Sequence, residues 1–194
     1  MASDTPRAGT RPLRSDAARN RELILRTARG LFAAHGTGVG LNDIARAAGI
    51  GVGTVYRRFP DKEAILDALV AAKLAAFVGL LHEAAEVADP REALRGYLWA
   101  ILELRVRDRA LHDVLARVES HSEEVEHHSA QLRRGAEALV TRAREAGVVR
   151  ADFTSADFPV LMEMIGTVTD HTPAEDGAWR RWAALLVDAV SPPG

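Results

Sequence analysis

The stretch Leu41 to Glu63, LNDIARAAGIGVGTVYRRFPDKE, gathers side chains whose types and spacing suit one kind of chemistry. Thr54, Tyr56, Arg57 and Arg58 crowd hydroxyl and guanidinium donors into one short segment, just ahead of Lys62. Donors at that density suit a polyanion. The backbone N–H groups that open a short, glycine-led helix can themselves approach a phosphate. The charge distribution agrees. Residues 1–60 carry ten arginines against four acids, a net +6, whereas the whole chain of 194 residues sums to −2. The remaining residues must therefore carry −8. A basic head on an acidic body is the footprint of a segment that docks on phosphate.

Such donors need elements to present them. The pattern predicts two short helices, Leu41 to Ala48 and Val52 to Phe59, crossing over a tight turn as a helix-turn-helix. Ile44 and Ala45 face inward, and the small Ala45 permits close approach of the second helix. Gly49 supplies left-handed backbone at the turn. Ile50 and Val55 plug the angle between the helices. Ahead of them, Ile24, Ala28, Leu31 and Phe32 mark one face of an amphipathic helix over Arg19 to His35, which Gly36 stops. Behind them, Pro60 ends the second helix and Asp61 caps the next.

This stretch closely resembles the tetracycline-repressor (TetR) family of bacterial regulators. The residues that carry the resemblance are Leu31-Phe32, Gly36, Asp43-Ile44-Ala45, Ala48-Gly49-Ile50, Gly53-Thr54-Val55-Tyr56, Phe59, Lys62-Glu63 and Leu66. They span about residues 19–66; the rest of the chain matches only in helical layout. The resemblance implies a DNA-binding transcriptional regulator, a repressor that binds a palindromic double-stranded operator as a homodimer and answers a small-molecule effector. It implies phosphate contacts from Thr54, Tyr56 and Lys62, with Arg46 and Arg58 on the backbone. Arg57 would read a base edge, plausibly a guanine, through O6 and N7. Gly53 would let the helix sit close to the duplex, and Asn42 ranks below Arg57 as a base or phosphate contact. Two departures stand out. Gly40 holds the cap position where the family usually has Ser or Thr, and Val52 stands where it often has lysine.

The remainder reads as helix throughout, for an all-α fold of about nine helices and no convincing strand. Three regions follow: a disordered basic arm over 1–16, the helix-turn-helix domain over 17–63, and a ligand-binding and dimerisation domain over 64–194. An apolar pattern runs from Asp61 to about Ala88. Asp89-Pro90 starts the next helix, and Ser120 with Glu123, like Thr172 with Glu175, has capping-box spacing. Gly147 closes a helix from about Ser122. The segment Phe158 to Val168 is nearly all apolar and is expected to be buried on most sides. Phe77, Leu81, Tyr97, Leu98, Trp99, Ile101, Leu102, Leu115 and Val118 are candidates to line an effector cavity. Leu161, Met164, Ile165, Trp179, Trp182 and Leu186 of the last two helices are candidates for a four-helix dimer interface.

Several chemistries fall away. The chain has no cysteine, which excludes disulfides, thiolate metal sites and cysteine nucleophiles and fits a cytoplasmic protein. No phosphate-binding glycine loop, nucleophile elbow or spaced metal-ligand set appears, so no enzyme activity, metal or cofactor is expected. His121, His127 and His128 accompany Glu123 and Glu124 at a spacing that suits a surface polar cluster better than a metal; His112 and His171 stand alone. The N-terminus is not a secretory signal, and no apolar run reaches the roughly 18 residues of a membrane span. The readings left beside a ligand-responsive repressor are an activator and a DNA-binding protein that works without a small-molecule ligand.

Overall fold

The computed structural model describes residues 11–116, 118–120, 122–170 and 177–192, and among these there is helix and no strand. The helices are α1 (Arg11–His35), α2 (Leu41–Ala48), α3 (Val52–Arg58), α4 (Lys62–Glu86), α5 (Pro90–Arg107), α6 (Arg109–Leu115), α7 (Glu123–Glu145), α8 (Asp157–Asp170) and α9 (Ala178–Ala189), with a single 3-10 turn at Gly36–Gly38. The all-α reading therefore holds, and the chain divides into two compact units, Met1–Leu66 and Asp67–Gly194.

In the first unit, Ile24, Ala28 and Phe32 of α1 are fully buried, as are Ile44, Ala45 and Val55 of the next two helices. The start of α1 differs from the expected arm over 1–16. Residues 1–10 lie outside the described residues, but 11–16 are already helical. Pro12 sits in the first turn, where no intrahelical N–H is required and its fixed φ suits a helix.

The α4 helix also departs from expectation. Over 25 residues it is long and apolar enough, by length and composition, to cross a membrane, although 44% of its most apolar stretch is buried inside the protein. Phe77, Val78, Leu81 and Ala84 are buried side chains of that helix, as expected of a core helix. Its start is capped as the sequence predicts, by Asp61 Oδ1 accepting from the Ala64 N–H at 2.8 Å.

The second unit is built around α5, which packs against α7, α8 and α9. Ala93, Leu94, Tyr97, Leu98, Ile101, Leu102 and Arg105 are its buried positions, three pairs one turn apart followed by Arg105. Asp89 caps it, accepting from Arg91 at 2.8 Å, with Pro90 at the first helical position. The cap of α7 is Ser122, whose hydroxyl accepts from the Val125 N–H, and not Ser120. Gly147, at φ 64°, ends that helix as predicted. The Thr172–Glu175 cap lies outside the described residues.

The expectation that α8 is buried on most sides is wrong. Phe158, Met162, Ile165 and Thr169 turn inward, but Val160, Met164 and Val168 form an exposed stripe at four-residue spacing. On α9, Trp179, Ala183 and Val187 are buried while Leu185 is exposed.

Candidate nucleic-acid interface and ligand cavity

The turn between α2 and α3 has the geometry that its glycine implies. Gly49 sits at φ 67° and ψ 29°, and its N–H and that of Ile50 return to the carbonyls of Arg46 and Ala45. This satisfies the last carbonyls of α2 while redirecting the chain. Gly40 occupies the cap position of α2, and Asp43 Oδ2 accepts from its N–H at 3.2 Å. A glycine here leaves no hydroxyl to offer, so Asp43 alone supplies the side-chain half of the cap.

Within this frame α3 buries Val55 and exposes most of its other side chains. Tyr56, Arg57 and Arg58 are exposed, as is Gly53, whose Cα faces open space. Thr54 is half-buried, and its hydroxyl accepts from Arg57 Nη2 at 3.3 Å. Arg57 and Thr54 thus share one turn of the helix and one outward face. Arg46 lies exposed on α2 beside Asp43, 3.4 Å away, and Asn42 is exposed near the start of the same helix. Lys62 does more than the sequence indicates. Its Nζ donates to the Thr37 carbonyl at 3.0 Å, tying the start of α4 to the turn after α1. Two of its three N–H donors stay available for a phosphate. A further contact escaped sequence reasoning: the Arg21 guanidinium lies 5.7 Å from the Phe59 ring centre, covering the end of α3.

The second unit contains a cavity of about 670 Å³, within the size range of small-molecule sites. Of the nine candidates, Phe77, Tyr97 and Ile101 line it. Leu81, Leu98, Leu102 and Leu115 are buried side chains away from its wall. Trp99 points elsewhere on α5 and meets Trp179 edge to face at 6.4 Å. Val118 is half-buried in the connection after α6 and does not reach the wall.

The rest of the lining was missed, and it holds most of the polar groups: Lys73 from α4, His112 from α6, Ser129 and Arg133 from α7, and Glu163 from α8. Phe158 and Met162 add apolar surface, and Tyr97 meets Phe158 edge to face at 5.1 Å. One signal for Lys73 exists in the sequence: it stands four residues before Phe77, on the same face of an otherwise apolar helix. Burial, together with the charges of Lys73 and Arg105, pushes the His112 imidazole down to about 4. Burial raises the Tyr97 phenol well above its ordinary value. Both groups are therefore neutral at pH 7.

Among the described residues, no three His, Asp or Glu side chains gather as metal ligands. His127 is exposed, and His128 Nδ1 lies 3.1 Å from Gln131 Oε1; His121 and His171 lie outside the described residues. The dimer candidates divide. Ile165 and Trp179 belong to the protomer's own core, which removes them from any surface for a second copy. Leu161, Trp182 and Leu186 are half-buried against that core, and Met164 is exposed. Val160, Val168 and Leu185 are exposed with it.

Comparison with known proteins extends these observations. Residues 24–69 match bacterial regulatory proteins of the tetR family, and residues 89–192 match the C-terminal domain of SbtR-like transcriptional regulators. A protein named as a mycofactocin biosynthesis transcriptional regulator, MftR of Mycobacterium tuberculosis, is 34% identical over 63% of this chain and 64% of its own length. The HTH-type transcriptional regulator Mb2274c of Mycobacterium bovis is 34% identical over 77% of each chain. The crystal structure of a TetR transcription regulatory protein from Mycobacterium vanbaalenii superposes with a TM-score of 0.65 at 31% identity, covering 93% of this chain and 99% of that one.

Proposed function

The chain belongs to the tetR family of bacterial regulatory proteins, and from that premise we propose that it is a cytoplasmic, ligand-responsive repressor that binds a palindromic operator as a homodimer. The observation that carries the reading is the outward face of α3. Tyr56, Arg57 and Arg58 stand exposed on a buried Val55 anchor, in the one part of the chain with a strong positive balance. Arg57 reads a base edge; Thr54, Tyr56, Arg58, Arg46 and Lys62 hold phosphate; Asn42 flanks them, and Gly53 permits close approach. The family is one of transcriptional regulators and not of enzymes.

The cavity of the second unit takes the effector. The α4 helix begins in the first unit and continues into the second, so a ligand that fits one arrangement of the second unit biases the first. The dimer face is the exposed stripe of α8 with Leu185, Trp182 and Leu186 of α9. A two-fold dimer places two copies of α3 on successive major grooves, about 34–36 Å apart, only in one arrangement. The test is a binding titration over a salt series, comparing a palindromic fragment from the region upstream of the protein's own coding sequence with scrambled DNA. Tight, palindrome-selective, salt-sensitive binding is the expected outcome. Equal, weak binding to both fragments would refute the operator reading.

A further inference from the structure

We infer that the cavity of the second unit is built for an organic anion, a carboxylate head on a hydrocarbon body, an inference that rests on reading this cavity as the effector site. The argument begins with helix direction. Gly135 of α7 abuts Leu81 of α4, and Arg142 of α7 donates to the Ala85 carbonyl near the end of α4. The two helices therefore run the same way. Lys73 then lies at the level of Ser129, and Phe77 one turn further along, at the level of Leu132 and Arg133, with Ala136 beyond.

This register gives the cavity two ends. At one end Lys73, Ser129 and His112 supply an ammonium, a hydroxyl and an imidazole, and Arg133, one turn beyond Ser129, stands at the level of Phe77 between the two ends. At the other end are Phe77, Tyr97, Ala136 and Phe158, with Tyr97 and Phe158 locked edge to face. Of the charged side chains in the wall, Lys73 and Arg133 are cationic and Glu163 is the acid, and Glu163 is exposed on α8. Burial first, and then the charges of Lys73 on α4 and Arg105 on α5, disfavour protonation of His112, so a second cation is unfavourable at this end. A carboxylate placed there meets donors from α4, α6 and α7, and its apolar body fills the aromatic end. An amine in the same place meets the burial and the Lys73 charge that keep His112 neutral.

The experiment is isothermal titration calorimetry of the full chain at neutral pH with two head-group series. One is decanoate, decanol and decylamine, each below its micellar concentration; the other is 4-phenylbutyrate, 4-phenylbutanol and 4-phenylbutylamine. In at least one series the carboxylate is expected to bind roughly ten-fold or more tightly than the alcohol, as charge-assisted hydrogen bonds require, and the amine most weakly. Lys73→Met and Arg133→Met should each cut carboxylate affinity by more than alcohol affinity. Retained alcohol binding shows that the variant cavity is intact, and the exposed Arg133 gives a variant with little bearing on folding. Carboxylate binding should also raise the His112 pKa, read by NMR.

An alcohol that binds as tightly as the carboxylate, or an amine that binds best, overturns the anion inference and leaves the effector-site reading standing. A carboxylate preference that survives both substitutions overturns it as well. Failure of every head group in both series brings down both readings.

Discussion

Arg57 and Arg58 are neighbours of the same type on one short helix, yet their surroundings differ, and the different tasks proposed for them follow that difference. Arg57 is braced by the Thr54 hydroxyl one turn earlier, which points its guanidinium along the open face of α3. No such brace is given to Arg58, which is exposed at the last turn. Arg57→Ala is accordingly expected to cost about 1–3 kcal/mol of discrimination between the operator and single-base variants. Arg58→Ala should weaken all sequences alike and reduce the salt slope by about 1. A titration of both variants against operator and mutated operator separates the two; equal discrimination in Arg57→Ala and wild type would refute the base-reading role. His112 makes a prediction of a different kind. Its folded pKa lies near 4 against an ordinary 6.5. Between those values the unfolded chain holds a proton that the folded chain does not, so stability rises with pH across that window. The contribution is flat above about 6.5 and falls as the pH drops toward 4. Denaturant unfolding of wild type and His112→Gln at several pH values checks this. The difference between them should shrink or reverse in favour of the variant on acidification, and parallel curves would mean that burial and Lys73 do not depress this imidazole.

At the scale of elements, the parts legible in the sequence are those whose causes are local. The turn at Gly49, the caps at Asp61 and Asp89 and the stop at Gly147 each depend on a few consecutive residues, and each stands where the pattern puts it. Ser122 displaced Ser120 as the cap of α7 because two serines two residues apart carry the same signal, and only the path of the chain decides between them. The inside of α8 was not legible for a related reason. A segment that is nearly all apolar has only Glu163 and Thr167 to mark its outside, so the exposed Val160, Met164 and Val168 look the same in sequence as the buried Met162 and Ile165. Nor was the cavity, a space among α4, α5, α6, α7 and α8 whose wall depends on helix pairings far apart in the chain. That dependence explains why Leu98 and Ile101, on one helix, fall on opposite sides of the distinction. One of these distant pairings yields a test. The guanidinium of Arg105 on α5 lies against the α8 backbone at Gly166, where an added Cβ would stand 2.6 Å from Arg105 Cζ. Arg105 is only 2% exposed and has little room to withdraw. Gly166→Ala should therefore destabilise the second unit by about 1–3 kcal/mol, the usual cost of overpacking. A thermal midpoint equal to that of wild type would show that α5 and α8 can separate more easily than this contact implies.

For the whole molecule, the open question is how an acidic chain with one small basic unit holds DNA. In the proposed dimer a second copy doubles the one α3 and the handful of phosphate contacts of a single copy, which makes dimerisation part of the affinity and not an addition to it. The surface proposed for it is unusual for an exposed one: Val160 at 55%, Met164 at 48% and Leu185 at 59% exposure are large apolar side chains gathered on the last two helices of the second unit. Each contributes little to the protomer core, because so much of it is already in water. Covering the half of such a side chain that is still in water is worth about 0.7–1.5 kcal/mol, roughly half the value of burying a fully exposed one. In a two-fold interface every substitution acts twice. Met164→Glu together with Leu185→Glu is expected to convert a dimer into a monomer that keeps its helical circular dichroism, as measured by light scattering and far-ultraviolet spectra on the same sample. Its binding to a half-site should match that of wild type, while its advantage on the full palindrome disappears. A variant that remains a dimer would place the interface elsewhere. One that becomes monomeric yet keeps the palindrome preference would break the link between this face and operator recognition.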